Sequence, residues 1–126
     1  MKTKHNQTVT IRLPLPDKRL SPNARCHWAV KAKAAKLAKE NAFYEAKLLG
    51  INEREYGWKS ARLQVVYTFK VRRVRDRDNH LSLLKAAGDG ITAAGLLMND
   101  SGIVPMPVEF EIGPDEGVTL TFERIE

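Results

Sequence analysis

Apolar and polar residues alternate along four stretches of the chain, a pattern typical of β-strands with one buried face. The stretches cover residues 8–13, 62–72, 104–112 and 118–122. Pro105 and Pro107 lack the backbone N–H that a strand donates to its neighbour, so they place the third stretch at a sheet edge or partly outside the sheet. The turn-forming residues at 113–117 predict a hairpin loop between the last two strands.

The longest helical pattern covers residues 24–49, with Ser21 or Asn23 as the capping residue and Gly50 as the stop. Its predicted buried stripe consists of residues at helical spacing, namely Trp28, Ala32, Ala35, Ala42, Ala46 and Leu49. The lysines on its other faces are Lys33, Lys36, Lys39 and Lys47. Such a basic face is either simply solvated or in contact with the phosphates of DNA.

A second helix is predicted from about residue 79 to residue 97, with Asp78 or Asn79 as its cap. Its apolar stripe consists of Leu84, Ala87, Ile91 and Ala94. The polar face of a continuous helix would carry, within roughly 60° of one another, Asp78, Ser82, Lys85 and Asp89. This pattern predicts a carboxylate at the tip of the helix and a lysine two turns further on.

The predicted elements follow the order β-α-β-α-β-β, without an internal repeat, linker or low-complexity tract. We therefore expect one small α/β domain over residues 1–126, with a mixed sheet of about four strands covered by two helices. The connection at residues 51–60 contains Trp58, for which the pattern indicates no role.

Basic residues outnumber acidic ones by 21 to 15 and the sequence pI is about 9.6, a balance that favours a polyanionic partner. The single cysteine, Cys26, excludes an internal disulfide and suits a small filler near a helix start in a reducing compartment. No apolar run is long enough to cross a membrane, and residues 1–5 lack the apolar segment of a secretory signal. We expect a cytoplasmic protein without a membrane partner.

Two carboxylates lie among four arginines where a strand gives way to a helix, in the stretch Arg72-Arg73-Val74-Arg75-Asp76-Arg77-Asp78-Asn79. A third carboxylate, Asp100, follows the second helix. Carboxylates are hard oxygen ligands suited to Mg²⁺ or Mn²⁺, ions that activate water for phosphodiester hydrolysis. The neighbouring arginines suit a phosphate-bearing substrate. The stretch therefore favours a metal-dependent nuclease, although an isolated Asp-x-Asp is more often a solvated turn with a capping aspartate.

Several side chains in and near this stretch are candidates for contact with DNA. They are Arg72, Arg73, Arg75, Arg77, Asn79 and His27. His27 is equally a candidate for the active site, while His5 and His80 have no partners at metal-binding spacing. For all three histidines, a surface position is the more common explanation. Asp89 is likewise more often a surface residue than a ligand.

Three segments together resemble the RusA-type Holliday junction resolvases, a family common in phages and prophages. They are Arg75-Asp76-Arg77-Asp78-Asn79, Lys85-Ala86-Ala87-Gly88-Asp89-Gly90 and Ala94-Gly95-Leu96-Leu97-Met98-Asn99-Asp100-Ser101. The upstream segment Leu20-Ser21-Pro22-Asn23-Ala24-Arg25-Cys26-His27-Trp28 resembles phage members more loosely. The specific motifs cover about residues 72–104, and their combined order and spacing are far more specific than any one of them.

The resemblance implies a homodimeric, Mg²⁺-dependent endonuclease that cuts four-way DNA junctions symmetrically during recombination and repair. By motif match, Asp76, Asp78 and Asp100 correspond to the metal-binding aspartates of the family. Lys85 matches its active-site lysine, and Asp89 matches a further acidic position on the helix.

Two positions depart from the family pattern. Lys85 lies seven residues after Asp78, where some members have a spacing one helical turn shorter that returns to nearly the same face. Asn99 stands where an acidic pair would begin, and its amide oxygen brings no charge to a second metal site. Two alternatives stay open: a branched-DNA-binding protein of this fold with weak or no catalysis, and a nuclease for flap or single-stranded DNA.

Overall fold

A computed structural model of the chain describes residues 7–73, 75 and 77–125, and of Asp78 the backbone only. This part of the chain forms a small mixed α/β fold, as the sequence predicted. It has five strands and three α-helices, one more of each than expected. The elements are β1 (Thr8–Leu13), α1 (Trp28–Leu48), β2 (Ala61–Phe69), α2 (Arg77–Ser82), α3 (Lys85–Ala94), β3 (Ile103–Pro105), β4 (Glu109–Ile112) and β5 (Gly117–Arg124). Short 3-10 turns lie at Lys18–Leu20 and Asp100–Gly102. In these described ranges, no helix is long and apolar enough to cross a membrane.

The strand order in the sheet is β1-β5-β2, followed by the two short strands β3 and β4 on the outer edge of β2. β5 pairs antiparallel with β1 and β2, whereas β3 and β4 pair parallel with β2. The edge position predicted for residues 104–112 is confirmed, and the prolines divide that stretch into two strands. The hairpin predicted at 113–117 is wrong, because β2 lies between β4 and β5.

One face of the sheet is buried against the helices, and the opposite face is polar. The largest fully buried side chains on the strands are Ile11, Val65, Tyr67, Val118, Leu120 and Phe122. On the polar face, Arg12 donates a hydrogen bond of 2.8 Å to Thr119, and Arg62 forms an ion pair of 2.8 Å with Glu123. The period-two alternation in the sequence therefore identified the core-facing side of each long strand correctly.

Helix α1 begins four residues later than predicted, because neither Ser21 nor Asn23 caps it. The cap is His27, whose Nδ1 accepts a hydrogen bond of 3.1 Å from the backbone N–H of Ala29. The predicted buried stripe is wrong at both ends, since Trp28 and Leu49 are 75% and 54% exposed. The buried positions of α1 are Ala34, Ala42 and Ala46. Small side chains suffice there because α1 packs closely on α3.

The predicted second helix is divided into α2 and α3, with a break at residues 83–84. The predicted apolar stripe is confirmed, since all four of its members are buried: Leu84, Ala87, Ile91 and Ala94. The helix ends at Ala94 rather than Leu97, because Gly95 adopts a left-handed conformation (φ 113°) and forms the cap. The continuous polar face predicted from Asp78 to Lys85 is therefore wrong, because the two residues lie on different helices.

Trp58 is a fully buried core residue. Its backbone N–H donates to Leu96 O, and its carbonyl accepts from the N–H of Met98, both at 2.8 Å. These bonds form an isolated parallel bridge between Trp58 and Leu97. The connection at 51–60 thereby anchors the segment that leads from α3 to Asp100.

Candidate active site

A shallow cavity of about 200 Å³ brings together three of the charged residues singled out in the sequence. Lys85 is the first residue of α3, Asp89 follows one turn later, and Asp100 begins the 3-10 turn before β3. The Nζ of Lys85 lies 3.8 Å from Oδ2 of Asp100. The other residues lining the cavity are Leu63, Leu81, Leu84, Gly88, Ile103 and Pro105. Residues from β2, α2, α3 and β3 therefore meet at one small site.

The position of Asp100 is fixed on both sides by the backbone. Before it, the Trp58–Leu97 bridge holds the segment against the core. After it, Ile103 pairs with Ala61 at the start of β2. A Cβ atom at Gly102 would lie 2.1 Å from the carbonyl oxygen of Lys59, so only glycine permits this close approach.

Asn99 caps the turn that presents Asp100. Its Oδ1 accepts a hydrogen bond of 2.8 Å from the N–H of Ser101 and a second, shorter one from the Ser101 hydroxyl. The amide oxygen is therefore engaged in shaping the turn. An aspartate could accept the same two hydrogen bonds, so the capping role explains an oxygen acceptor at residue 99 but not the missing negative charge.

The contact between Lys85 and Asp100 adds little to stability. The two side chains are 77% and 51% exposed, and ion pairs at such exposure are worth about 0–1 kcal/mol. An ammonium and a carboxylate held at this separation remain accessible to a substrate. The pair is therefore suited to chemistry at the surface of the protein.

Helix α2, which contains the backbone of Asp78, is docked against β2 and β4. The hydroxyl of Tyr67 donates a hydrogen bond of 2.5 Å to the carbonyl oxygen of His80, and burial raises the pKa of Tyr67. The His80 ring packs edge-on against Tyr67 and Phe110, at centroid distances of 5.0 and 5.1 Å. His80, expected at the surface, is half-buried, with its ring packed against this aromatic cluster.

Three of the predicted DNA-contacting arginines lie around a second depression. Arg72, Arg73 and Arg75 line it together with Phe69 and Phe110. The Arg75 guanidinium lies 3.6 Å above the Phe69 ring, a cation–π contact, and donates to the carbonyl oxygens of Val71 and Arg73. The position of the arginines beside these two phenylalanines was not predicted from the sequence. The sequence signal for this contact is Phe69, an apolar residue at the end of a predicted strand just before the arginine-rich loop.

Two residues of α2, Arg77 and Asn79, form hydrogen bonds with residues outside the helix. The Nε of Arg77 donates a hydrogen bond of 2.9 Å to the carbonyl oxygen of Val108. Oδ1 of Asn79 accepts one of 3.1 Å from the hydroxyl of Ser21, which joins α2 to the loop before α1. His27 is exposed at the N-terminus of α1. DNA contact by these residues stays a prediction.

The complete set of proposed metal ligands cannot be assembled from the described residues. Asp76 lies outside them, and so does the side chain of Asp78. Among the side chains that are described, no group of three His, Cys, Asp or Glu residues is close enough to hold a metal ion. Asp89 and Asp100 line the same cavity, and their carboxylate oxygens are the donors that Mg²⁺ and Mn²⁺ prefer. These two residues fit part of such a site.

Comparison with known proteins gives a relative without an assigned activity. No protein-family model matches the chain. An uncharacterized protein of Xylella fastidiosa (strain Temecula1) is 34% identical over an alignment 128 positions long, which covers 94% of this chain and 78% of that protein. At this identity and coverage, the two proteins share a fold over nearly the whole chain. The chain belongs to the same family as this Xylella fastidiosa protein.

Proposed function

We propose that the protein is a metal-dependent endodeoxyribonuclease of the RusA type, which cuts four-way DNA junctions in the cytoplasm. The observation that carries the proposal is the cavity where Lys85 lies 3.8 Å from Asp100 and shares the lining with Asp89. These are the positions at which the motifs resembling RusA-type resolvases have a lysine and two acidic residues. The geometry that supports the proposal is the approach of Asp100, from the turn after α3, to Lys85 and Asp89 on α3.

The side chains at this cavity suit phosphodiester hydrolysis. The Lys85 ammonium can stabilise negative charge that develops on the phosphate oxygens, or orient the attacking water. Lys85 and Asp100 lie on the same side of the cavity, so a phosphate bound by Lys85 would lie close to a metal ion held by Asp100. The arginines around Phe69 and Phe110 can bind phosphates of the DNA backbone.

Asp76, Asp78 and Asp100 are the residues that would hold the divalent ion, with Asp89 as a further acidic group. A bound Mg²⁺ or Mn²⁺ would supply Lewis acidity for phosphodiester hydrolysis. The excess of basic over acidic residues, with a formal net charge of +6, supports a polyanionic substrate. Asn99 is the feature that favours the alternative, a DNA-binding protein of this fold with weak or no catalysis, and the cleavage assay below separates the two.

The direct test is incubation of the protein with an end-labelled four-way junction in Mg²⁺ and, in parallel, in EDTA. We expect two symmetrically related cuts in Mg²⁺ and none in EDTA. A junction that stays intact in Mg²⁺ and in Mn²⁺, at protein concentrations that bind it fully, would contradict the proposal.

Replacing Lys85 with alanine should slow the chemical step more than it weakens binding. We expect the single-turnover rate at saturating enzyme to fall about ten-fold or more, which corresponds to roughly 1.4 kcal/mol. Junction affinity should change little. The matched control is Lys33→Ala, which removes an exposed lysine on α1 and should leave the saturated rate unchanged. Weaker binding at an unchanged saturated rate in Lys85→Ala would place Lys85 outside the active site.

The protein should act as a homodimer. Two symmetric cuts need two active sites, and the chain supplies one set of the proposed catalytic residues. Sedimentation velocity at the assay concentration, with and without a junction, should show a dimer bound to the DNA. A strict monomer under both conditions would exclude paired cleavage by one complex.

A further inference from the structure

Trp28 is a large aromatic side chain that the fold leaves in solvent. It is the first residue of α1 and is 75% exposed, whereas Trp58, the other tryptophan of the chain, is fully buried. A tryptophan ring carries much apolar area, so an exposed one gains free energy when a flat partner covers it. The residues around Trp28 indicate the chemistry of that partner.

The contacts between α1 and α3 show where this end of α1 lies. Ala34 and Ala38 line a groove together with Leu84 and Ala87, so this part of α1 lies near the start of α3. Further along, Gly90 of α3 lies against the backbone of Lys39. Gly95, just after α3, lies against the backbone of Glu53, just after α1, so the two helices run in the same direction. Eleven residues of α1 precede Lys39 but only five of α3 precede Gly90, so the start of α1 extends past the start of α3.

Side-chain hydrogen bonds join this end of α1 to α2. Lys31, three residues after Trp28, donates from Nζ to the carbonyl oxygen of Ser21 at 2.8 Å. The Ser21 hydroxyl donates in turn to Asn79 Oδ1 at 3.1 Å. Asn79 is next to Asp78 in the first turn of α2. The first turn of α1 and the loop before it are therefore joined to the first turn of α2 at Asn79.

The Trp28 side chain is attached to a helix rather than to a loop. It belongs to a regular helix, and the His27 ring that caps this helix lies 5.5 Å from it at an interplanar angle of 31°. Arg25 is exposed in the same loop, and Lys31 lies one turn further along the helix. An exposed aromatic ring with an exposed arginine three residues away in the sequence suits single-stranded nucleic acid, because bases stack on the ring and the cation attracts the phosphates.

We infer that Trp28 is a stacking platform for an unpaired nucleobase of the DNA next to the cleavage site. The inference deepens the proposed function and rests on it for the identity of the substrate. Bases inside a duplex have both faces covered by their neighbours, whereas a base at a branch point or in a single strand offers a free face. Trp28 therefore favours DNA with unpaired bases over continuous duplex.

Tryptophan fluorescence reports on this contact without any chemistry. Because Trp58 is buried, a nucleic acid that covers an exposed indole changes the emission of Trp28. The probe is an oligodeoxythymidylate of about 15 nucleotides, added in EDTA so that no strand is cut. We expect saturable quenching, and a blunt duplex of equal length at equal occupancy should quench less. No quenching at an oligonucleotide concentration that saturates binding by anisotropy would overturn the inference.

Substitutions locate the effect at one residue. Trp28→Ala should weaken oligonucleotide binding about five-fold or more, and Trp28→Phe should weaken it less because a ring remains. Tyr44→Ala is the matched control, since Tyr44 is 65% exposed on the same helix but lies sixteen residues further along, about 24 Å away. Equal binding by Trp28→Ala and the wild type would overturn the inference.

Two further outcomes separate this inference from the proposed function. A protein that cuts junctions but shows no quenching retains the endonuclease proposal and overturns the stacking role. Quenching by single strands in a protein that cuts no DNA supports the stacking role and overturns the endonuclease proposal. A concentration-dependent blue shift of Trp28 emission without DNA would assign the indole to contact between copies of the chain, and would overturn the stacking role.

Discussion

Replacing Asp100 with asparagine should abolish cleavage of branched DNA while leaving the fold and DNA binding intact. The substitution keeps the size of the side chain but removes the charge that a divalent ion requires. We expect the single-turnover rate to fall at least about a hundred-fold, roughly 2.7 kcal/mol in the barrier. Affinity for the junction should stay the same or rise, because one repulsion between carboxylate and phosphate is lost. The thermal midpoint should change little, since the ion pair with Lys85 is exposed.

Asp76→Asn and Asp78→Asn should give the same result as Asp100→Asn. The matched control is Glu40→Gln, which removes one negative charge from the exposed surface of α1 and should leave the cleavage rate unchanged. If all three Asn variants cut at the wild-type rate, the catalytic site lies elsewhere. If they lose binding in parallel with cleavage, the carboxylates act in DNA recognition rather than in catalysis.

Replacing Gly90 with alanine should strongly destabilise the fold. A Cβ at this position would lie 2.2 Å from the carbonyl oxygen of Lys39 and 3.0 Å from its carbonyl carbon, both backbone atoms of α1. Relief requires α1 and α3 to move apart, which opens the alanine-lined contact between them. Overpacking of this kind costs about 3 kcal/mol, a large part of the stability of a small domain. Urea unfolding measures the loss directly.

Gly88→Ala is the control for Gly90→Ala. Gly88 lies in the same helix, and a Cβ there would meet only Cδ1 of Ile103, at 3.8 Å. Alanine is the better helix former by about 1 kcal/mol, so Gly88→Ala should be neutral or stabilising. Equal stability of the Gly90→Ala variant and the wild type would show that the two helices are not in close contact at Gly90.

The strands were predicted well because each long strand has one solvent-exposed face and one face buried in the core. β1 has the predicted bounds, and Leu63, Val65, Tyr67 and Phe69 of β2 face the core as predicted. The predicted alternation was wrong at Val71, which lies beyond the end of β2 and is exposed, and at Thr68, which is buried. The pairing of strands was harder to predict. Consecutive strands β4 and β5 usually form a hairpin, but pairing of β4 with the free edge of β2 was the alternative that a local pattern cannot reveal.

The helices show where local patterns fail. The first turn of α1 lies outside the core, so Trp28 fits the helical period and is nevertheless exposed. The break at residues 83–84 interrupts a stripe whose members are all buried, and no proline or glycine marks it in the sequence. Trp58 was missed because its burial depends on a bridge to Leu97, a contact across distant parts of the chain.

The candidate site was predictable only in part. The convergence of Lys85 and Asp100 agrees with the motif, although the reason given for the position of Lys85, a face shared with Asp78 on one helix, was wrong. Asp100 approaches Lys85 because the backbone contacts on both sides of residue 100 hold it at the edge of the sheet. Contacts of this kind arise from the tertiary fold and leave no periodic pattern.

Cleavage of matched four-way, flap and linear duplex substrates in Mg²⁺ decides whether the protein is an endonuclease selective for four-way junctions. All three should carry the same arm sequences and the same end label, and the wild-type protein should be in excess over the DNA. We expect paired, symmetric cuts in the four-way junction at a rate well above that for the other two substrates. Equal cutting of all three, faster cutting of the flap, or no cutting of any substrate would contradict it.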